Sequence, residues 1–121
     1  MENLWDIEVE LTFLSTEEDG RKGHAFSGYR SQFYYDGHDW DAIHNYLNVE
    51  AVYPGQTVTA QLSFLSPQCH VGKLYPGKEF LIREGQRVVG KGRVTKILDL
   101  ENSAKRVEEK ESKQYYPKTK T

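Results

Sequence analysis

Residues 80–92 read Phe-Leu-Ile-Arg-Glu-Gly-Gln-Arg-Val-Val-Gly-Lys-Gly, and this stretch decides the fold. Phe80 and Ile82 lie in one predicted strand, and residues 88–98 supply the next one. Glu84-Gly85-Gln86 joins the two strands, with a glycine at the place where a tight turn favours one. The stretch therefore predicts two consecutive β-strands.

Further strands are predicted on the amino-terminal side of this stretch. Apolar residues that alternate with polar ones are typical of a strand with one buried face. The aromatic run at residues 32–35 also favours a pleated surface, and Tyr53-Pro54-Gly55 suits a type II turn because Gly accepts positive φ. No convincing helical period interrupts these strands, so the pattern predicts an all-β fold, a small antiparallel β-barrel. The two clearest alternating runs are Ile7, Val9, Leu11, Phe13 and Val58, Ala60, Leu62, Phe64.

The composition is that of one globular domain. The chain has 121 residues, of which 37% are apolar, and it is rich in Tyr and Phe, whereas disordered chains are poor in aromatics. Its formal net charge of -2 argues against a general attraction to nucleic acid or anionic membranes. The amino terminus shows no leader pattern, no segment is apolar enough to cross a bilayer, and Cys69 is the single cysteine. We therefore expect a cytoplasmic protein without membrane contact.

The last residues have a different composition from the rest. From Asp99 the alternation stops, and residues 99–121 contain six Lys or Arg against five Asp or Glu with few aliphatic residues. Such a composition buries too little apolar surface to offset the entropy of ordering, although residues 104–113 have helical charge spacing. The sequence predicts a β-barrel domain over residues 1–98 and a charged, disordered tail over residues 99–121.

Two segments resemble a phosphate loop and a metal site, but neither has the residues at the spacing that such a site requires. Residues 85–92 almost match a phosphate loop, but Gly92 stands where a Ser or Thr must hold magnesium, and a strand follows where a helix is needed. Residues 36–44 are dense in Asp and His, yet their spacing is neither that of a zinc site nor that of a calcium loop. Cys69 and His70 are adjacent and point apart on an extended chain. We expect no guanine nucleotide, metal, cofactor or catalytic site.

The outer faces of the strands contain many cations, which have two interpretations. With neighbouring tyrosines they suit RNA phosphates and sugars, and as alternating outer-face charges they are simply solvated. The residues concerned are Arg21, Lys22, Arg83, Arg87, Lys91, Arg93 and Lys96, with Tyr29, Tyr34 and Tyr35.

Several motifs in one order resemble the third, carboxyl-terminal domain of translation elongation factor Tu. They are Phe13-Leu14-Ser15, Gly20-Arg21, Gly28-Tyr29-Arg30, Gln32-Phe33-Tyr34, Pro54-Gly55, Ile82-Arg83-Glu84-Gly85 and Val94-Thr95-Lys96-Ile97-Leu98. The resemblance covers about residues 7–98 and implies a six-stranded antiparallel β-barrel. It also implies two surfaces, one for the T-stem of aminoacyl-tRNA and one for docking to the GTPase domain.

The resemblance also assigns site residues. The positions that match the family's tRNA contacts are Arg21, Gln32, Glu84 and Gly85. Three positions differ from the family pattern: Asp41 replaces a Thr, Ser66 replaces a Lys, and Ser31 replaces a Pro. The first two changes weaken attraction to phosphate, because one adds a carboxylate and the other removes a cation.

Two functions follow from these observations. The first is a non-catalytic, cytoplasmic module that binds tRNA or a translation-associated protein. The alternative is an immunity-type or regulatory module that uses the barrel as a scaffold and binds a protein through an acidic loop at residues 36–41. The residues expected to face such a partner are Arg30, Arg87, Asp36, Asp39 and Asp41.

Overall fold

The computed structural model describes residues 5–18 and 20–119, and the side chains of the carboxyl-terminal helix up to residue 111. These residues form eight strands, one α-helix and two short 3₁₀ helices. The elements are β1 (Ile7–Phe13), a 3₁₀ turn (Thr16–Glu18), β2 (Ala25–Phe26), β3 (Arg30–Tyr35), β4 (His38–Tyr46), β5 (Ala51–Val52), β6 (Thr57–Phe64), a second 3₁₀ turn (Pro67–Cys69), β7 (Glu79–Glu84), β8 (Arg87–Ile97) and α1 (Leu100–Thr119).

Six of the strands close into an antiparallel barrel, which confirms the predicted fold. Their order is β1-β6-β4-β3-β7-β8, and β8 closes the barrel by pairing with β1. The predicted turns are also present: Gln56 N–H donates to the Tyr53 carbonyl over 3.0 Å with Gly55 at φ 88°, as a type II turn requires. The short strands β2 and β5, which the sequence did not predict, form a separate two-stranded ribbon.

The barrel core follows from the alternation along each strand. In β1 the side chains of Ile7, Val9 and Leu11 are completely buried, whereas Glu10 between them is exposed. Strands on every side of the barrel contribute in the same way, and Phe33 stacks on Phe80 at 4.2 Å between ring centroids. Burial of these apolar side chains is the main stabilising contribution to the fold.

A glycine lets two elements of the barrel approach closely. A Cβ at Gly92 would lie 2.4 Å from the Glu10 carbonyl oxygen and 2.7 Å from Cζ of Phe80. Such distances are too short for any side chain, so β8 can pass between β1 and Phe80 only with glycine at this position. The near match to a phosphate loop is therefore part of a hairpin and a strand, as its strand-like residues predicted.

The carboxyl-terminal segment differs from the disordered tail that composition predicts. Residues 100–119 form α1, whose first turns pack on the 3₁₀ helix at Pro67–Cys69. Leu100 and Ala104, one helical turn apart, are buried, and the Ser103 hydroxyl donates to the buried Asp6 carboxylate. These few contacts offset the ordering cost that the charged composition alone would not. No helix in the described part of the chain is long and apolar enough to cross a membrane.

The acidic segment at residues 36–41 is not a loop. Asp36 and Gly37 form a turn with positive φ, and residues 38–46 are strand β4. Asp39 and Asp41 lie on its outer face, whereas His44 lies on the inner face and is completely buried. The period-two geometry of a strand therefore separates the carboxylates from the histidine. Among the described residues, no cluster of three or more His, Cys, Asp or Glu side chains is placed to share a metal ion.

Candidate functional site

Arg21 lies in the loop between β1 and β2, where the chain bends sharply. A Cβ at Gly20 would lie 2.2 Å from the Leu14 carbonyl oxygen, so only glycine allows this bend. The Arg21 side chain then folds back on its own loop. Its Nε donates to the Gly23 carbonyl over 3.3 Å, and its Nη2 donates to the His24 carbonyl over 3.2 Å. The loop itself therefore fixes the orientation of the guanidinium group.

The third nitrogen of Arg21 contacts Glu84, at the end of β7. Arg21 Nη1 and the Tyr29 hydroxyl both donate to Oε2 of Glu84. The guanidinium also lies over the Tyr29 ring, 4.6 Å from its centroid, and Arg87 Nη2 lies 3.8 Å from Oε1 of Glu84. Two hydrogen-bond donors and one further guanidinium group thus surround one carboxylate.

The environment of this cluster fixes its protonation. Burial and the Glu84 carboxylate raise the pKa of Tyr29 well above its usual range, so its hydroxyl stays a donor. Burial opposes the charge of Arg21, but its contacts with Tyr29 and Glu84 outweigh that effect and raise its pKa. The cluster is therefore an ion pair with an additional neutral donor.

Gly85 follows Glu84 in the turn between β7 and β8. Its φ of 62° lies in the left-handed region, which favours glycine. The turn places Arg87 directly opposite Glu84 in the strand register. Three of the predicted tRNA-binding residues, Arg21, Glu84 and Gly85, are consequently in one place.

Gln32 lies apart from the cluster, on the outer face of β3. Its register partners are Asp41 on β4 and Arg83 on β7, so it lies between a carboxylate and a cation. Its side-chain oxygen is buried and accepts no hydrogen bond within the described part of the chain. Arg83 itself pairs with Asp39 at 3.4 Å and lies 4.7 Å from the centre of the Tyr34 ring.

Each carboxylate of the predicted acidic surface has a cationic neighbour. Asp41 pairs with Arg30 at 3.2 Å, Asp39 pairs with Arg83, and Asp36 pairs with Lys78 at 2.8 Å. Arg30 and Asp41 are about half exposed, so their attraction is screened and contributes little to stability. Little uncompensated negative charge is left on this face.

The predicted basic surface is likewise interrupted by carboxylates. Arg93 lies 3.7 Å from Glu10, and Lys96 lies 3.7 Å from Glu8, across neighbouring strands. Tyr35, expected to interleave with these cations, is buried, and its hydroxyl contacts Nδ1 of His70 at 2.7 Å. The outer face therefore resembles a solvated, mixed-charge sheet more than a continuous basic patch.

An exposed aromatic cluster at one end of the β2–β5 ribbon, formed by Phe26 in β2 and its neighbours His24 and Tyr53, was not identified from the sequence. Phe26 and Tyr53 are 57% and 52% exposed, and the His24 ring lies 4.6 Å and 4.9 Å from their centroids. Tyr53 is far from His24 and Phe26 in the sequence, and strands of two residues are too short to show a period. Tyr29 was predicted only as one of the tyrosines of the basic surface, and its bond to Glu84, 55 positions away, could not be read from the sequence.

A comparison with known protein families identifies the family to which this barrel belongs. Residues 2–98 match the family model of the elongation factor Tu C-terminal domain. The match spans all eight strands and stops before α1. That domain is a non-catalytic binding module of a translation factor. The chain therefore belongs to the elongation factor Tu C-terminal domain family.

Proposed function

We propose that this barrel binds tRNA through the surface formed by Arg21, Gln32, Glu84 and Gly85. The observation that carries the proposal is the convergence of Arg21, Glu84 and Gly85, from two distant parts of the sequence, into one cluster. Gln32 lies on the strand that pairs with β7, beside Arg83. The proposed role is non-catalytic, and it implies a cytoplasmic location, where tRNA and the translation factors are found.

Electrostatics makes such binding local and dependent on salt. The formal net charge is -2, so attraction depends on a few cations near the contact and not on the protein's overall field. Asp41, which replaces a family Thr, is partly neutralised by Arg30. Ser66 is the neighbour of Leu65, whose amide donates to the Asp41 carbonyl over 3.2 Å, so the two departures from the family pattern are close in the fold.

The experiment is a titration of labelled tRNA at several salt concentrations. Arg21→Ala should weaken binding and reduce the salt slope by about 1, the effect of one phosphate contact. The matched control is Arg93→Ala, which removes an exposed cation paired with Glu10 on β1. Unfolding curves for both variants should first establish that each keeps the barrel. Equal effects of the two variants would contradict the proposed surface.

A gain-of-function variant tests the same surface in the other direction. Asp41→Thr with Ser66→Lys removes a carboxylate, releases Arg30 and adds a cation, so tRNA should bind more tightly at low salt. Asp36→Asn is the control, because it removes a paired carboxylate at the tip of the β3–β4 hairpin and tolerates the positive φ there. If neither the native chain nor the double variant binds tRNA at low salt, the tRNA proposal fails.

A protein partner is the second candidate, and the exposed ring cluster favours it. Aromatic side chains that are more than half exposed are typical of interface anchors. Phe26→Ser should abolish capture of a translation-associated or regulatory protein from native lysate, while Asp36→Asn, which suits the positive φ of this position, should leave it intact. The opposite result would favour the regulatory interaction through the Asp36, Asp39 and Asp41 face.

Neither candidate function needs guanine nucleotide. Lys91 follows a glycine-rich turn, but it lies on strand β8 rather than at the start of a helix, so it cannot cradle phosphates as a phosphate loop does. Calorimetry with magnesium and GTP should give no saturable heat. A micromolar signal that disappears in Lys91→Ala would overturn this expectation.

A further inference from the structure

A buried histidine lies beside Tyr29 of the candidate site and is held by two hydroxyl groups. The His44 side chain is completely buried, with Nε2 2.8 Å from the Ser31 hydroxyl and Nδ1 3.1 Å from the Tyr46 hydroxyl. Burial lowers the pKa of His44 to about 3 and raises that of Tyr46 above its usual range, so both are neutral at neutral pH. We call Ser31, His44 and Tyr46 the His44 network.

The two hydroxyl bonds fix the plane of the imidazole ring. A neutral imidazole has one donor and one acceptor, and a hydroxyl supplies either, so both ring nitrogens of His44 are satisfied. Rotation of the ring would break both bonds in a core where water cannot replace them, which costs free energy. An apolar side chain of similar volume would pack there without directional bonds. The His44 network therefore holds one ring orientation.

Tyr29 packs directly on this oriented ring. The His44 amide donates to the Tyr29 carbonyl over 2.9 Å, and the Gly28 amide donates to the His44 carbonyl over 2.7 Å. The two rings meet edge to face, with centroids 5.1 Å apart and planes at 76°, a favoured aromatic geometry. The Phe13 ring lies 6.2 Å from Tyr29 and 6.3 Å from Tyr46. Backbone and ring contacts together thus tie Tyr29 to the His44 network.

Tyr29 in turn connects the core with the surface cluster. Its hydroxyl donates to Oε2 of Glu84, and its ring supports the Arg21 guanidinium at 4.6 Å. A tilt of the Tyr29 ring would therefore move the donor to Glu84 and the support of Arg21 at the same time.

The same network gives a reason for the serine at position 31, where the family pattern has a proline. Proline has no hydroxyl, so Nε2 of His44 would lose the partner that Ser31 now provides. A buried polar atom without a partner is costly. Ser31 and His44 therefore depend on each other.

We propose that the His44 network is a positioning device of the candidate site, which fixes the Tyr29 ring and, through Tyr29, the Glu84 carboxylate. None of the three network residues contacts the ligand in this role; they act through Tyr29. The role rests on the proposed function only where tRNA is the readout, because the position of Tyr29 can be measured without RNA.

The first test measures the side-chain Nε–H resonance of Arg21 in the free protein. The guanidinium lies over the Tyr29 ring, so a tilt of that ring changes the ring current at Nε. Ser31→Ala and Tyr46→Phe each remove one of the two bonds to His44, and each should shift this resonance. Ser31→Thr, which keeps the hydroxyl, should leave it at the native position.

The matched control is Ser63→Ala. It removes a partly buried hydroxyl from the outer side of β6, between the buried Leu62 and Phe64, and should leave the Arg21 resonance unchanged. A purely structural role of the His44 network would lower the melting temperatures of Ser31→Ala and Tyr46→Phe without moving the resonance in the folded protein. That result would contradict the proposal. The two variants test different bonds, so either one decides if the other does not fold.

The second test measures tRNA affinity in a double-mutant cycle. Ser31→Ala should weaken binding about threefold, near the lower end of what one hydrogen bond is worth, whereas Ser63→Ala should bind like the native chain. In Tyr29→Leu, which lacks both the hydroxyl and the ring face, Ser31→Ala should have no further effect, because residues that act through one another are not additive. Equal weakening in both backgrounds would show that Ser31 does not act through Tyr29 and would overturn the proposal.

The two proposals fail separately. If Ser31→Ala and Tyr46→Phe shift the Arg21 resonance but no variant binds tRNA, the positioning role stands and the tRNA function falls. If Arg21→Ala weakens tRNA binding while the resonance stays unchanged in both network variants, the tRNA function stands and the positioning role falls.

Discussion

The barrel and the carboxyl-terminal helix bury their side chains to very different extents. Each long barrel strand turns alternate residues into a shared core, and Ile7, Leu62 and Ile82 are completely buried. Of the α1 side chains that the structure describes, those of residues 100–111, only Leu100 and Ala104 are buried, and those at positions 108–111 are exposed. The barrel is therefore held by contacts across the whole chain, while the helix depends on a small contact with the finished barrel. Changes in the two regions should differ in size accordingly.

The largest effect is expected at the tightest point of the barrel. Gly92→Val would place a branched side chain where even a Cβ lies 2.4 Å from the Glu10 backbone. Backbone cannot yield as a flexible side chain can, so we expect a loss of more than about 4 kcal/mol and no stable fold. Circular dichroism during thermal unfolding measures this.

The control for this change is Gly23→Val. Gly23 has no atom within 4 Å of an added Cβ and no positive φ. Its substitution should change the unfolding free energy by less than about 0.5 kcal/mol, as surface changes usually do. Similar melting temperatures for the two variants would show that β8 adapts and that the barrel is less rigid than its geometry indicates.

The second-largest effect on the stability of the barrel is expected from acid. Burial lowers the pKa of His44 to about 3 and that of His70 to about 4, whereas both are near 6.5 when the chain is unfolded. The unfolded state binds more protons between these values, so stability is lost as pH falls below 6.5. Each histidine should contribute a loss of roughly 3 kcal/mol between pH 6.5 and 4.

Asp6, which lies where the barrel meets the helix, should change the folding stability with pH in the opposite direction. Burial raises its pKa above 3.8, so the folded state holds a proton that the unfolded state releases, and this carboxyl favours folding as pH falls. Two histidines outweigh it. Denaturant unfolding at a series of pH values gives the unfolding free energy as a function of pH. This free energy should fall less steeply with acid for His44→Gln than for His38→Gln, which changes an exposed residue. Equal slopes would mean that His44 is not the titrating group.

The same contrast explains what the sequence could predict. Strand β1 and the turn at Gly85 were predictable because alternation and turn chemistry are local. The docking of α1 on a distant 3₁₀ turn was not, because the helix buries only two of its described apolar residues, Leu100 and Ala104. Two apolar residues within a run of charged ones do not make a recognisable sequence pattern.

The candidate site also has features that the sequence could predict and features that it could not. Arg21, Glu84 and Gly85 were predicted from family motifs, and Arg21 and Glu84 prove to be bonded to each other. That they satisfy each other could not be predicted, because the pair is 63 positions apart in the sequence. Strand β4 was misread as an acidic loop, since outer-face Asp39 and Asp41 look the same in sequence whether they lie in a strand or in a loop.

A smaller effect is expected where the helix contacts the barrel. Leu100→Ala removes a side chain that is 2% exposed and belongs to the core cluster, at an edge where neighbours can relax. We expect a loss of about 2 kcal/mol, the lower end for such truncations. Hydrogen exchange should accelerate in α1 more than in β1 or β6. Lys105→Ala, on the exposed side of the same helix, should leave both quantities unchanged.

The smallest effect is expected from removing residues 109–121. Exposed side chains at positions 108–111 contribute no buried area, and exposed ion pairs on a helix are worth only about 0.2–0.5 kcal/mol each. The unfolding free energy should therefore change by less than about 0.5 kcal/mol. Limited trypsin digestion should cut after Lys110 before it cuts any barrel loop. If the barrel loops are cut first, or if the truncated chain loses as much stability as Leu100→Ala, the end of the helix also packs on the barrel.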